Sequence, residues 1–490
     1  MRSLVLGIVA LALGVIHPGI ALSAPAPPNV ILIITDDQGY GDLACHGNPH
    51  VRTPNIDRFA SESVRLTNFH VSPTCAPTRC ALMTGRHEFH SGVTHTILER
   101  ERMSLSATTY PQLLQKAGYK TGIFGKWHLG DQPDYQPDRR GFGEVFIHGA
   151  GGIGQTYEGS CGDAPGNTYF NPAILHNGRF EKTNGFCTDV FFEQATRWID
   201  ERRHDGPFYC HIATNAPHGP LDCPAEYRQQ YADLPDDLAK FYGMVTNIDD
   251  NVGRLMARLA EWKLDENTLV IFMTDNGGTV GTKDFNAGMR GAKGSPWEGG
   301  TRVPSFWRWK GHFAPKEVAA LTAHLDYLPT LAELGGGTIP DNVAPKLEGR
   351  SLLPLLTAEQ QEWPDRTLVT HVGRWEHGKA RDAKSTQASI RNTRYALVSA
   401  APRGKAAPGP STWQLFDLER DPAQKTDIAA AHADIVAQLT RQYDAWWDSV
   451  LPDLCNEDAE VPAVNPFKAR YWEQFPDERP QPAGASPKTN

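Results

Sequence analysis

Four polar clusters hold the side chains of this chain that are best suited to chemistry. Asp36-Asp37 and Asp275-Asn276 together offer three carboxylates and one amide oxygen. Such hard oxygen ligands suit Ca²⁺ first and Mg²⁺ second. Lys126 and His128 form a third cluster and His218 a fourth, so a cation and two proton-transfer groups join the oxygen ligands. These residue types indicate a metal-dependent site with acid–base groups.

Each cluster follows a short apolar run in the sequence. The runs at residues 29–35 and 268–274 are continuously apolar rather than alternating, which is typical of strands buried on both faces of a parallel sheet. Residues 119–124 and 208–214 form two similar runs. Because ligands bind beyond the carboxyl ends of strands in open α/β sheets, the sequence predicts that the four clusters meet in one site.

The order of these elements predicts an α/β fold with a second, smaller domain. Helical patterns alternate with the strands, as in the apolar series within residues 241–259, which indicates a large, mostly parallel sheet flanked by helices. From about residue 362 the strands become short and alternating. We therefore expect a main domain at residues 25–361, an α+β domain at residues 362–455 and a loosely ordered tail at residues 456–490.

Charge and the N-terminus limit where the protein acts and what it binds. The net charge of -9 argues against a nucleic-acid partner, which requires a positive face. Residues 1–24 have the basic, apolar and small-residue regions of a signal peptide, so we expect export to the periplasm or secretion. A second long apolar stretch is missing from the sequence, and we therefore expect no stable membrane insertion.

Eight cysteines allow few disulfides once Cys75 is set aside. Cys161 and Cys187 bracket a loop rich in glycine and asparagine and are the best candidate pair, whereas Cys210 lies in an apolar run and is expected to be a core thiol.

Two segments resemble the signatures of the type I, formylglycine-dependent sulfatases, and of their arylsulfatase-like members in particular. Residues 74–85 contain Cys75-Ala76-Pro77-Thr78-Arg79 and are similar to the first signature, and residues 118–128 are similar to the second. Weaker similarity extends over residues 29–356. The resemblance implies an alkaline-phosphatase-like fold, hydrolysis of sulfate monoesters with release of inorganic sulfate, one bound Ca²⁺, and a maturation enzyme that converts Cys75 into formylglycine.

The resemblance also implies a role for each site residue. Position 75 would be the nucleophile and, with Asp36, Asp37, Asp275 and Asn276, a metal ligand. Arg79 would orient the formylglycine, and Lys126 and Lys293 would contact the sulfate. His128 would accept a proton from the formylglycine hydrate, and His218 would protonate the departing alcohol. The substrate would be a sulfated small molecule or glycan.

Two other functions stay open at this point. Relatives of similar fold can use formylglycine to hydrolyse phosphonate or phosphate esters. A non-catalytic protein could also keep the anion pocket to bind sulfated glycans. His371, in the smaller domain, is a further candidate for the substrate mouth.

Overall fold

A computed structural model describes residues 27–155, 162–358, 362–399, 401 and 413–480. The predicted signal peptide at residues 1–24 lies outside these residues, as does Cys161, the predicted partner of Cys187.

The described residues form sixteen strands and eleven α-helices. The strands are β1 (Asn29–Thr35), β2 (Val64–Leu66), β3 (Phe69–His70), β4 (Lys120–Lys126), β5 (Glu144–His148), β6 (Ala173–His176), β7 (Arg179–Lys182), β8 (Phe208–Ala213), β9 (Thr268–Thr274), β10 (Ser305–Arg308), β11 (Lys316–Val318), β12 (Thr322–Ala323), β13 (Leu368–His371), β14 (Ala388–Arg391), β15 (Tyr395–Ser399) and β16 (Gln414–Asp417). The helices are α1 (Pro54–Ser61), α2 (Cys75–Thr84), α3 (Tyr110–Lys116), α4 (Cys187–Arg202), α5 (Ala225–Gln229), α6 (Asp236–Glu261), α7 (Glu298–Thr301), α8 (Tyr327–Leu334), α9 (Leu353–Thr357), α10 (Ala433–Val450) and α11 (Pro466–Gln474).

Ten strands build the central sheet in the order β11-β2-β10-β9-β1-β8-β4-β5-β6-β7. The five strands from β9 to β5 are parallel, and antiparallel pairs occur toward both edges. The apolar runs predicted as buried strands become β1, β9, β4 and β8, so their carboxyl ends lie side by side. This arrangement confirms the predicted mixed, mostly parallel α/β sheet.

Helices cover both faces of this sheet because the central strands are apolar on both sides. Along β1, Val30, Leu32 and Ile34 pack into a core with residues of α2, α3 and α8. The alternate residues Ile31 and Ile33 pack into the opposite core with residues of α1, α4 and α6. The twofold alternation of a strand thus divides one continuous apolar run between two cores.

The second domain contains a four-stranded antiparallel sheet, β13-β14-β15-β16, with α10 packed against it. Leu439 and Tyr443 of α10 are buried against Ile390, Leu397 and Leu415 of the sheet. This arrangement confirms the smaller C-terminal α+β region that the sequence predicts.

The chain after residue 456 differs in part from the loosely ordered tail that we expected. Within it, α11 begins at Pro466 after Asn465, whose side chain accepts hydrogen bonds from the next two available backbone N–H groups. Phe467 and Tyr471, one helical turn apart, are buried against Phe180 of β7. Two aromatic anchors therefore hold this helix on the edge of the central sheet, and residues after 480 lie outside the described part.

Among the described helices, none combines the length and the apolar character needed to cross a bilayer.

Candidate active site

The carboxyl ends of β1 and β9 bring two polar clusters together. Thr35 is in register with Thr274, so Asp36-Asp37 and Asp275-Asn276 leave the sheet side by side. The backbone N–H of Asp37 donates to Oδ1 of Asp275 over 3.3 Å. Ligand atoms of Asp36, Asp275 and Cys75 all lie within 4.8 Å of one another, which is close enough for one ion to contact all three.

Cys75 is the first residue of α2 and reaches this cluster from above the sheet. Thr74 before it is extended, so the helix begins at the thiol, and only 3% of the residue is exposed. Burial alone would raise the pKa of the Cys75 thiol, but the positive charges of Lys126 and Lys293 outweigh it and lower the pKa. The helix N-terminus adds a partial positive charge, so position 75 lies in an environment that favours anions.

Two lysines supply this positive charge, one in contact with Asp36 and the other with Asp37. Lys126 ends β4, is completely buried and contacts Oδ2 of Asp36 through its ammonium group. Lys293 lies on a loop and contacts Oδ1 of Asp37 over 2.5 Å. Main-chain hydrogen bonds from Lys293 to Gly278 and from Gly294 to Pro73 fix that loop beside α2.

Arg79 lies one helical turn after Cys75 and joins the clusters. Its Nη1 donates to the carbonyl oxygen of Lys126 over 3.1 Å, while its Nε and Nη2 donate to Oδ2 of Asp275. The guanidinium group is almost fully buried, so its planar fork holds both partners in one orientation.

The acidic cluster fits a divalent cation. Burial raises the pKa of Asp36 to about 7 and that of Asp275 to about 6. Burial would raise the pKa of Asp37 too, but Lys293 and His218 together hold it well below its ordinary value. Oδ1 of Asp36 and Oδ1 of Asn276 are buried and have no hydrogen-bond partner among the described residues. Two unsatisfied oxygens beside concentrated negative charge are the donors that a hard cation requires.

His128 lies just past β4 with one ring nitrogen available. Its Nε2 donates to the carbonyl oxygen of Thr96 over 2.8 Å, and its buried Nδ1 contacts no hydrogen-bonding group in the described part of the chain. Burial and the charge of Lys126 lower the pKa of His128 well below its ordinary value. The imidazole is therefore neutral and can accept a proton at Nδ1.

His218 follows β8, the strand between β1 and β4, and lies beside the acidic cluster. Its Nδ1 donates to the carbonyl oxygen of Gly219 over 2.6 Å, and its Nε2 lies 3.8 Å from Oδ2 of Asp37. Burial lowers the pKa of His218, although the negative charge of Asp37 opposes this effect. The second nitrogen thus faces the acidic cluster, where it can exchange a proton with a bound group.

The sulfatase family model matches residues 28–337, which is more than half of the chain. This chain belongs to the sulfatase family. A second model, described as N-sulphoglucosamine sulphohydrolase, C-terminal, matches residues 293–446.

Relatives and solved structures agree with this assignment. The sulfatase is 31% identical to arylsulfatase A of Homo sapiens, over 85% of this chain and 86% of the relative. It is also 31% identical to human N-acetylgalactosamine-6-sulfatase, over 72% of this chain and 70% of the relative. The crystal structure of Ps i-CgsB in complex with k-i-k-neocarrahexaose is 27% identical, has a TM-score of 0.76, and is matched over 92% of this chain and 98% of that one. The chain is therefore a sulfatase enzyme that hydrolyses sulfate esters, and the purely glycan-binding alternative is wrong.

The small domain also contributes to the site of the sulfatase, through a residue that sequence reasoning missed. Nη2 of Arg374 donates to Oγ1 of Thr96 over 3.0 Å, and the carbonyl oxygen of Thr96 in turn accepts the hydrogen bond from His128. The backbone of Arg374 has a φ of 61°, which is uncommon for a residue with a side chain. The sequence around Arg374, including the neighbouring Gly373, did not indicate that this residue contacts Thr96.

A glycine pair packs directly against His128 and was also missed. A Cβ atom at Gly151 would lie 2.6 Å from Cε1 of His128, and one at Gly152 would lie 3.3 Å from Nδ1 of His218. Asp163 holds this loop by accepting hydrogen bonds from the backbone of Gly149 and Gly154. The loop after β5 therefore passes over both histidines.

His371, a candidate for the substrate mouth, is instead part of the packing of the small domain. It is 1% exposed, its Nε2 donates to the carbonyl oxygen of Ala383, and its ring stacks on Trp447. A residue enclosed in this way does not reach a substrate.

Proposed function

We propose that this sulfatase cleaves sulfate monoesters through a formylglycine formed from Cys75 and releases inorganic sulfate. The observation that carries the proposal is the position of Cys75, at the first residue of a helix, within 4.8 Å of ligand atoms of both Asp36 and Asp275. The positive charges of Lys126 and Lys293 both act on the same thiol.

A formylglycine hydrate would supply an oxygen nucleophile and a second hydroxyl group through which the sulfate can later be released. The residues around position 75 suit that chemistry. Lys126 and Lys293 would bind the sulfate oxygens, where charge accumulates during transfer. Arg79 keeps Asp275 and the end of β4 in place beneath position 75.

We further propose that the acidic cluster holds one Ca²⁺, with Mg²⁺ as the second choice. Asp36, Asp37, Asp275 and Asn276 would be its ligands together with the oxygen at position 75. The two unsatisfied oxygens of Asp36 and Asn276 support this assignment. Such an ion would add positive charge next to the bound sulfate.

The two histidines would then move protons in different steps of the reaction. His128 would accept a proton at Nδ1 from the group at position 75, because its Nε2 is already committed to Thr96. Because the Nδ1 proton of His218 is held by the carbonyl oxygen of Gly219, the ring would first take up a proton at Nε2, beside Asp37, and then give it to the departing alcohol oxygen. The pocket therefore separates an acceptor from a donor, as ester cleavage requires.

The protein would act outside the cytoplasm. The N-terminal sequence supports export to the periplasm or secretion, and conversion of Cys75 requires a maturation enzyme as partner. A sulfated small molecule or glycan would be the substrate.

One experiment tests the nucleophile and another tests the substrate. Mass spectrometry of the peptide that carries position 75 should show the aldehyde in active protein, and an unmodified thiol in fully active protein would overturn the mechanism. Matched aryl sulfate and aryl phosphonate esters in competition should show preferential sulfate release. A preference for the phosphonate would instead establish the rival hydrolase.

A further inference from the structure

A second cavity lies between the main domain and the small domain, away from the active site. Its volume is about 570 Å³. His87, in its wall, follows the last turn of α2, whose first residue is Cys75. Because an α-helix rises about 1.5 Å per residue, the ten residues of α2 separate this cavity from Cys75 by about 15 Å. The catalytic residues described above do not line it.

One wall of the cavity is a polar stripe on α10. Gln438, Gln442 and Trp446 are spaced four residues apart and therefore lie on the same helix face. Both glutamines are exposed, so the cavity opens to solvent on this side. Two amides and an indole can bond to hydroxyl groups and pack against the ring of a sugar.

The cavity is also lined by a buried arginine that has unused hydrogen-bond donors. Nη1 of Arg366 donates to Oδ1 of Asp326 over 2.7 Å. Its Nε and Nη2 are buried and have no hydrogen-bond acceptor in the described part of the protein. Buried N–H groups without a partner are costly, so an acceptor-rich ligand that reached them would gain stability.

The nearby carboxylates do not supply the missing acceptors. Glu348 accepts a hydrogen bond from the backbone of His87 through Oε2, and Asp365 accepts two from Thr393. Nε1 of Trp446 is another buried donor without a partner among the described residues. Buried donors of Arg366 and Trp446 therefore stay unsatisfied although two acidic residues line the cavity.

We propose that this cavity is a second binding site for a saccharide that carries an anionic group, either a carboxylate or a sulfate. The anion would accept hydrogen bonds from the guanidinium fork of Arg366, which matches two oxygens at once. The sugar ring would lie against the stripe of Gln438, Gln442 and Trp446. The volume suits one or two sugar units.

This inference rests on the proposed function, because a sulfated glycan substrate would supply both the sugar and the anion. A site about 15 Å from Cys75 would hold one part of such a chain while another part enters the active site. Linked binding of this kind raises the local concentration of the reacting ester.

Calorimetric titration of the full-length enzyme tests the site. The probes are D-glucuronate, D-glucose 6-sulfate, D-glucose and inorganic sulfate, so that carboxylate, sulfate, neutral sugar and free ion are separated. We expect an anionic sugar to bind, Arg366→Lys to weaken that binding about tenfold, which is about 1.4 kcal/mol, and Gln442→Ala to weaken it severalfold. Arg441→Ala, on an exposed face of the same helix, should bind as the native enzyme does.

Each outcome decides the inference. Unchanged affinity in Gln442→Ala and in any folded Arg366→Lys protein would overturn it. Binding of inorganic sulfate that Arg366→Lys weakens, without binding of either anionic sugar, would overturn it too. Hydrolysis of a small aryl sulfate should be unaffected by Gln442→Ala, because that substrate needs only the catalytic pocket. If the native enzyme bound the sugar acid at this cavity but released no sulfate from aryl esters, the proposed function would fail and the second site would stand.

Discussion

Arg79 donates hydrogen bonds from both Nε and Nη2 to the same oxygen of Asp275, Oδ2, over 3.2 and 2.7 Å. The other oxygen, Oδ1, accepts from the backbone of Asp37. One carboxylate therefore connects helix α2, the end of β9 and the end of β1. Arg79 fixes the orientation of this carboxylate, with which it forms a buried ion pair.

Replacing Arg79 with Gln should destabilise the fold as well as the site. The change leaves Asp275 as a buried charge without its partner, which costs about 3 to 5 kcal/mol. Urea unfolding in the presence of chelator measures the loss. Arg258→Gln is the control, because its pair with Glu261 is more than half exposed and its removal should change stability by less than about 0.5 kcal/mol. Equal effects of the two changes would contradict the role given to Arg79.

Removing the divalent ion should lower the thermal stability. A ligand present at 100 times its Kd stabilises the folded state by about 2.7 kcal/mol, and chelation removes that contribution. Differential scanning calorimetry with EGTA, followed by addition of Ca²⁺ or Mg²⁺, should restore the melting temperature best with Ca²⁺. Asn276→Ala should weaken this response, whereas Asp236→Asn, at the surface, should keep it. If neither EGTA nor any added ion changed the melting temperature, this result would argue against the metal site.

Glu88 should make stability fall as the pH rises. Burial raises the pKa of this carboxyl from 4.5 to about 8, so the folded state keeps a proton that the unfolded chain has already lost. The contribution is complete below pH 4.5 and disappears as the pH approaches 8, a loss of about 3 to 4 kcal/mol between pH 5 and 8. Denaturation at several pH values should show a flatter profile for Glu88→Gln. Glu317→Gln, which changes an exposed carboxylate, should leave the profile as it is.

His218→Ala should slow the enzyme most on esters with poor leaving groups. If His218 protonates the departing alcohol, an alkyl sulfate should lose about 100- to 10,000-fold in kcat, while a nitrophenyl sulfate, whose leaving group needs little protonation, should lose far less. Steady-state kinetics on both esters measures the difference. His50→Ala, at a half-exposed histidine, should affect neither. An equal loss on both esters would place His218 in binding rather than in proton transfer.

Gly151→Ala should reduce kcat while the protein stays folded. The added methyl group would lie 2.6 Å from the ring of His128, so the ring or the loop must move. A 1 Å displacement of a catalytic group can cost about 100-fold in rate. Gly143→Ala is the matched control, because its nearest neighbour would be 3.6 Å away. Native activity in Gly151→Ala would show that the loop does not position His128.

The sequence predicted those parts of the site that strand ends determine. Asp36 and Asp275 follow continuous apolar runs. When such runs form neighbouring parallel strands, the residues after them lie at the same edge of the sheet. Arg374 was not predictable in this way, because its contact with Thr96 depends on how two domains pack. Gly151 was missed because only the position of the His128 ring makes its lack of a side chain necessary.

For the C-terminal segment, the sequence predicted less ordered structure than the protein has. Its many prolines and charged residues suggested a loose tail, yet Phe467 and Tyr471 bury enough aromatic surface against Phe180 to order a helix. The amino-acid composition of a segment is an average, so it does not reveal two aromatic residues that are spaced one helical turn apart. The register of the small domain was similarly hidden, because an alternating pattern does not show where β14 ends and β15 begins in their hairpin.

The pairing of β1 with β9 has a consequence for how the protein is made. Asp37 and Asp275 are 238 residues apart in the chain, so a ribosome that adds about 5 to 20 residues per second needs roughly 10 to 50 s to deliver the second after the first. From the addition of residue 75 to the end of that interval, the nascent chain carries Cys75 but lacks the strand that completes the enclosure around it. The rate of synthesis thus sets how long the thiol stays accessible. Slower elongation between these two strands would lengthen the period in which the thiol can be oxidised.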